Sequence, residues 1–332
     1  MKVLIYANGS SSIGLGHIMR TLTLAKELKK REIYVEYIID NSDYNAIKLI
    51  QNNGFHIINI ENILDYLLVN QKLKYDLVII DDYNIKENDI NKFYRISNKI
   101  VYIDDLAKFN EYNMDILINT SIEALNIDYK GCAKKLLGSK YTLLRDEFKN
   151  LKYKLPKSNV KKTMLTLGGG DEDNITKDIL DSLLDNYNDI EYNIILGNSY
   201  KYKDFMLENY KYNNVKFHMN VKNMKNLMIN NDLAISAGGN TLYELCACGI
   251  PTIAIIIADN QLKFVQAIHR KTGIDFINLI ENEFCNIKID FLNIFNKNIN
   301  NYNRRKQISK NMFHLVDGEG CMRIVDEIMK LF

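Results

Sequence analysis

The chain has 332 residues, 47% hydrophobic and 25% charged, with 43 Lys and Arg against 41 Asp and Glu for a net charge of +2. That length suits about two domains, each with its own core, and the near-balanced charge excludes any general electrostatic pull toward nucleic acid or an anionic membrane. No apolar run is long enough to cross a bilayer and the first residues do not read as a secretory leader, so a cytoplasmic location is expected. The five cysteines, Cys132, Cys246, Cys248, Cys285 and Cys321, have neither disulfide nor zinc spacing and read as buried or half-buried thiols. The abundance of Asn, Ile, Lys and Tyr beside only 2 prolines reads as genomic base bias.

In chain order, the first half alternates strand and helix signals. Val3–Ala7 predicts a strand, His17–Arg31 an amphipathic helix, Tyr34–Asp40 a strand, the region near 44–53 a helix, and His56–Ile60 a strand. Leu77–Asp82 is an apolar strand ending in two carboxylates, Lys99–Asp105 repeats that design, and Met114–Asn119 is a further short strand. After Leu144-Arg145-Asp146-Glu147-Phe148 comes a polar, Lys-rich stretch with Pro156, which marks a linker. A second series follows, with strands at 163–167, 192–196, 215–218, 233–236 and 251–257 and helices between them. Short apolar strands alternating with helices predict an α/β protein of two doubly wound, Rossmann-like domains, at 1–150 and 151–332, the last helix being a candidate to cross back to the first domain. Ligands of such sheets bind beyond the carboxyl ends of the strands, so a cleft facing both domains is the expected site.

The motifs fall at those ends. Gly14-Leu15-Gly16-His17-Ile18-Met19-Arg20 sits where the first strand hands over to its helix. A glycine turn at a helix N-terminus favours phosphate, and an imidazole there can serve as acid, base or phosphate partner. Met19 stands where the dinucleotide fingerprint has its third glycine, which removes the main support for a nicotinamide or flavin site. The alternative is a structural turn followed by a helix-capping histidine. The second domain carries Leu167-Gly168-Gly169-Gly170-Asp171 and, further on, Ser236-Ala237-Gly238-Gly239-Asn240-Thr241-Leu242-Tyr243-Glu244 with Gly249-Ile250-Pro251. There a strand, a glycine turn and a helix whose first residues are Asn240 or Thr241 would hold phosphates, and Glu244 one turn on would bond ribose hydroxyls. The plainer reading of Thr241–Glu244 is a capping pattern. Asn260 and Gln261, after the next strand, offer donors and acceptors suited to a sugar, or simply form a polar loop whose Asp or Asn caps a helix. Asp81, Asp82, Asp104 and Asp105 could pair around Mg²⁺, but a structural or substrate-positioning role fits them better, since no further ligands suggest themselves.

Taken together, these segments resemble the GT-B superfamily of nucleotide-sugar enzymes. More narrowly, they resemble the hydrolases that act on UDP-2,4-diacetamido-2,4,6-trideoxy-β-L-altropyranose in pseudaminic acid biosynthesis. The resemblance is carried by Gly14–Arg20, Ile80-Asp81-Asp82-Tyr83, Tyr102–Asp105, Leu144–Phe148, Leu167–Asp171, Ser236–Glu244, Asp259-Asn260-Gln261 and the tail Asp317–Arg323. It implies His17 as the catalytic residue beside the departing phosphate. It also implies Tyr83 and Asn260 along the sugar and water site, Glu244 on the ribose, and Gly239, Asn240 and Thr241 at the diphosphate. The family often has His before the tyrosine, and Asp82 stands there in this chain. Gly14, Gly16, Arg20, Asp82, Gly169, Gly238 and Gln261 complete the expected substrate-binding set.

The implied reaction is inverting hydrolysis of the anomeric C–O bond. His17 positions or deprotonates water, Tyr83 orients water or sugar, and helix N-termini at the glycine turns take up the charge of the leaving UDP. No cofactor and no metal is expected, and the partner is a UDP-sugar rather than nucleic acid or membrane, met by a monomer. Three other readings share the nucleotide site. A GT-B glycosyltransferase would hand the sugar to an alcohol, a UDP-sugar 2-epimerase would need more acid–base groups, and a non-catalytic nucleotide-sugar binder would not need His17.

Overall fold

The computed structural model describes residues 1–10, 14–40, 42–72, 74–168, 171–197 and 199–332. In its first part run β1 (Lys2–Ala7), α1 (Gly16–Lys30), β2 (Tyr34–Ile39), α2 (Tyr44–Asn52), β3 (His56–Asn59), α3 (Ile63–Val69), β4 (Tyr75–Asp81), α4 (Glu87–Ile90), β5 (Ser97–Ile103), β6 (Ile116–Asn119) and β7 (Lys134–Leu137). Next come β8 (Lys162–Thr166), α5 (Ile175–Asn186), β9 (Glu191–Leu196), α6 (Lys203–Asn209), β10 (Val215–Met219), α7 (Met224–Ile229), β11 (Leu233–Ala237) and α8 (Thr241–Cys248). The chain ends with β12 (Thr252–Ile256), α9 (Asp259–Thr272), β13 (Asp275–Asn278), α10 (Phe284–Asn300), α11 (Tyr302–Leu315) and α12 (Gly320–Met329).

Two compact units result, unit 1 from Met1–Asp146 with Gly318–Phe332 and unit 2 from Glu147–Asp317. Unit 1 is a seven-stranded sheet in the order β3-β2-β1-β4-β5-β6-β7, unit 2 a six-stranded sheet in the order β10-β9-β8-β11-β12-β13, and the strand pairs are parallel. This is the expected pair of doubly wound α/β domains. The order reverses at β1/β4 in unit 1 and at β8/β11 in unit 2, the switch points where open sheets take their ligands.

The strand sequences explain the layers. Along β1, Val3, Ile5 and Ala7 face one core with Leu22, Ala25 and Leu28 of α1, while Leu4 and Tyr6 face another with Ile63 and Leu67 of α3. A strand covered on both faces needs an unbroken apolar run, which is how it is recognised. The two strands that the pattern does not announce, β7 and β13, close one edge of each sheet. Edge strands need less apolar sequence: Lys134-Lys135-Leu136-Leu137 buries only Leu136 fully, and Asp275-Phe276-Ile277-Asn278 only Ile277. The last helix, α12, packs Cys321, Ile324, Val325 and Ile328 into the same core as α1. Its first residue, Gly320, lies so close to the backbone of Tyr141 and Thr142 that a Cβ would come within 3.0 Å of them.

Candidate functional site

In unit 1 the chemistry gathers at the carboxyl ends of β1, β4 and β5. Register places Ala7 of β1 beside Asp81 of β4 and Ile80 beside Tyr102 of β5, so Asp81 and the following Asp104-Asp105 arrive at neighbouring strand ends. The chain leaves β1, turns through Gly14 at φ +78 and starts α1 at Gly16. No side chain caps α1 and its first turn holds no acidic residue, so its positive end is not neutralised locally. His17, in that first turn, is 7% exposed.

Asp81 is fully buried and organises what surrounds it. Its Oδ1 lies 2.7 Å from His17 Nδ1 and accepts from Arg20 Nη2 at 2.5 Å, and its Oδ2 accepts from Arg20 Nε at 2.6 Å. Burial by itself would raise the Asp81 carboxyl, but the Arg20 guanidinium, followed by the bond to His17, outweighs it and holds the group below its ordinary range. An ionised carboxylate can only accept, so His17 carries a proton on Nδ1, and the neutral ring offers its lone pair at Nε2. The 3.3 Å approach of Arg20 Nη2 to Nδ1 is then a meeting of two donors on one oxygen, not a hydrogen bond.

Arg20 continues to Asp105, where Nη1 donates to Oδ2 at 2.5 Å. Burial works against its charge, but Asp105 and Asp81 more than compensate and its pKa lies well above the usual value. Three nitrogen–oxygen contacts to two carboxylates and a side chain 12% exposed make Arg20, expected against the substrate, a clamp between Asp81 and Asp105. Tyr83 donates its hydroxyl to the same Asp105 oxygen at 2.7 Å and meets the His17 ring edge-on, with centroids 4.2 Å apart. Burial first, then Asp105, raises its phenol above the normal range. The Lys108 ammonium donates to the Tyr83 carbonyl.

Asp82 lies elsewhere. It is buried, accepts from Asn8 Nδ2 at 3.0 Å and from the Asn84 amide at 2.6 Å, and so braces the loop after β4. Asn8 also donates to Asp40 at 2.8 Å. Among the described residues no set of three or more His, Cys, Asp and Glu is arranged to hold a metal ion. The clustered carboxylates are engaged otherwise: Asp81 and Asp105 hold Arg20, while Asp104 accepts from the amides of Leu106 and Ala107 and from the Tyr112 hydroxyl.

In unit 2, β11 ends at Ala237 and the chain turns through Gly238-Gly239-Asn240 into α8. Glycine is required at 238 because a Cβ would run into Val265 and Gln261 of α9. Asn240 occupies the N-cap but makes no side-chain cap bond, contrary to its expected capping, and the Leu242 and Tyr243 amides turn back to the carbonyls of Gly239 and Asn240. Thr241 and Glu244 are half-buried in the first turn. Asp259, Asn260 and Gln261 form the first turn of α9, not a loop, and Ala258 is the N-cap, so neither Asp nor Asn caps it. Asn260 is exposed there, while Gln261 turns its Oε1 back to the Ile257 amide at 3.1 Å. Gly169 lies outside the described residues. Cys248 is no nucleophile: burial, with Glu244 adding, pushes its thiol up to about 12.

Two parallel-sheet α/β units of this kind are the GT-B fold of glycosyltransferases. MurG of Acinetobacter baumannii superposes with a TM-score of 0.73 over 99% of both chains at 13% identity. Residues 166–314 match the Glycosyltransferase family 28 C-terminal domain. The chain is 34% identical over 276 residues to an uncharacterized protein of Methanocaldococcus jannaschii, covering 79% of this chain and 57% of that one. It is 31% identical over 196 residues to UDP-2,4-diacetamido-2,4,6-trideoxy-beta-L-altropyranose hydrolase of Campylobacter jejuni, covering 55% of this chain and 66% of the enzyme. The chain thus spans less than two thirds of the length of both relatives.

Asp81 and Asp105 are the site residues to which motif reading gave only a general structural or substrate-positioning role. The signal was present, as acidic residues ending two adjacent strands, but nothing in one dimension says that a helix arginine will bridge them.

Proposed function

We propose that the chain hydrolyses a UDP-linked 2,4-diacetamido-2,4,6-trideoxy sugar at the anomeric C–O bond, releasing UDP and the free sugar. The observation that carries this reading is the His17–Asp81 pair, which suits the imidazole, in contact with the Tyr83 ring, to act as a base. The 31% identical hydrolase supports the substrate class. In this reading unit 2 holds the nucleotide, with the uncapped start of α8 at the diphosphate and Glu244 on the ribose. Asn260 lies along the sugar. His17 takes a proton from water as it attacks C1 on the face opposite UDP, which inverts the centre, and Asp81 steadies the imidazolium that forms. The N-terminal end of α8 meets the charge developing on UDP.

A glycosyltransferase reading has one specific support, the match of unit 2 to a glycosyltransferase domain. The same base would then act on an acceptor hydroxyl. One experiment separates the two. The purified chain is incubated with the UDP-diacetamido-trideoxy-altrose in EDTA without acceptor, and UDP and sugar are followed by NMR. Release of both, reduced about 10²–10⁴-fold in His17→Ala, is the expected outcome. UDP release that appears only when an acceptor is added overturns the hydrolase reading in favour of transfer.

A further inference from the structure

The reaction just described gives Asp105 no task, yet the fold takes trouble to place it. Its neighbour Asp104 is buried and pins the loop from within, accepting from the amides of Leu106 and Ala107 and from the Tyr112 hydroxyl at 2.8 Å. Ala107 sits at φ +51, a left-handed conformation that those bonds maintain. From this loop Asp105 Oδ2 accepts both Arg20 Nη1 and the Tyr83 hydroxyl. The single phenol proton is therefore committed to a carboxylate, and the Tyr83 oxygen retains only lone pairs for a ligand. His17 stands in the same condition, its Nδ1 proton on Asp81 and its Nε2 a lone pair. The two ring centroids are 4.2 Å apart, so the two acceptor-bearing rings are direct neighbours.

On the hydrolase reading above, we propose that Asp105 is a positioning residue that makes Tyr83 a hydrogen-bond acceptor and thereby selects water over an alcohol as the nucleophile. Water has two O–H groups, one for His17 Nε2 and one for the Tyr83 oxygen, leaving a lone pair for the anomeric carbon. An alcohol has one, and satisfies one acceptor while opposing the other with its alkyl group or lone pairs. In the step, the water oxygen bonds to C1 and its first proton passes to Nε2. The C1–O bond to UDP breaks, with its electron pair kept by the β-phosphate oxygen. The second proton stays on the new anomeric hydroxyl, still donated to Tyr83. Burial and Asp105 keep the phenol protonated above its ordinary range, so this polarity persists through neutral pH.

The test is nucleophile partitioning. The UDP-diacetamido-trideoxy-altrose is turned over in buffer containing methanol, and the ratio of methyl glycoside to free sugar is read by NMR. Asp105→Ala and Tyr83→Phe are each expected to raise that ratio about tenfold and to lower kcat more than they raise KM. Asp105→Ala in a Tyr83→Phe background is expected to change nothing more. Asp105→Asn, whose amide oxygen still accepts from the phenol, keeps the wild-type ratio. A role confined to bracing Arg20 would lower the melting temperature and leave the ratio unmoved, which overturns the proposal. Should Asp105→Ala not fold, an unchanged ratio in Tyr83→Phe overturns it equally. A wild-type chain that yields no free sugar overturns the hydrolase reading and water selection with it, whereas hydrolysis with unchanged partitioning overturns this proposal alone.

Discussion

Asp81→Asn is the perturbation whose outcome follows most directly from the geometry. The two carboxylate oxygens receive three donors, His17 Nδ1 and Arg20 Nη2 on Oδ1 and Arg20 Nε on Oδ2. An amide of the same shape keeps one oxygen and turns the other into a donor facing a donor. If the NH₂ faces Arg20 Nε, one charge-assisted bond is lost; if it faces His17 and Nη2, two are lost. Bonds of this kind contribute about 1.5–3 kcal/mol each, and Arg20, 12% exposed, also loses one of its two counter-charges. Asp105 remains, so the loss stays near one bond and not the full cost of an orphaned buried charge. We expect about 3 kcal/mol, which for a unit of this size lowers the unit 1 melting transition by about 6–12 °C. The charge-dependent part has a defined pH window. The folded-state pKa of Asp81 is depressed, so its contribution is present above the ordinary carboxylate pKa and is lost as pH falls through the lowered folded value. Melting curves of wild type and variant should therefore differ fully at neutral pH and converge in acid. Activity should drop by about 10²–10⁴ at neutral pH, because a neutral amide no longer stabilises the imidazolium that forms. A variant that melts with wild type at pH 7, or keeps its turnover while folded, refutes the network as drawn.

Glu244→Gln should weaken UDP binding about ten- to hundredfold, the worth of one or two hydrogen bonds to a charged acceptor. Titration calorimetry with UDP measures this, and an unaltered Kd removes Glu244 from the nucleotide site. Gly320→Ala should destabilise unit 1 by about 1–3 kcal/mol, since a Cβ there would meet the main chain of Tyr141 and Thr142 inside 3.0 Å and α12 must shift. Denaturant unfolding that leaves the midpoint in place would show that the helix start is looser than the packing indicates.

The fold was legible because a doubly wound sheet buries its central strands on both faces, and β1, β4, β5, β11 and β12 advertise this as runs such as Leu77-Val78-Ile79-Ile80. The edge strands β7 and β13 carry no such run, having little to bury. The glycine turns were legible for a comparable reason: Gly14 needs a positive φ and Gly238 has no space for a Cβ, and both demands leave one residue type. What the sequence does not display is which polar groups find each other. Arg20 stands in a run resembling a ligand-binding motif, and its guanidinium meets Asp81 and Asp105, 61 and 85 residues away, only because β4 and β5 end side by side under α1. Asp82, one residue from Asp81, points the opposite way because consecutive strand residues alternate faces, and it reaches Asn8.

The same reasoning distinguishes two of the glycine turns, which look alike in sequence. Leu167-Gly168 leads to α5, whose first amides are already occupied: Asp171 accepts from Ile175 and Thr176 at 2.8 and 2.7 Å. A phosphate at that helix start would face a fixed carboxylate and find its donors taken, so the dipole there is neutralised by the chain itself. Helix α8 has no such cap, although Asn240 stands at the position from which one would come. No side chain caps α8, and its first turn carries the half-buried Glu244. Of these two helix starts, that of α8 is the one without a side-chain cap, and it is there that the proposed reading puts the diphosphate.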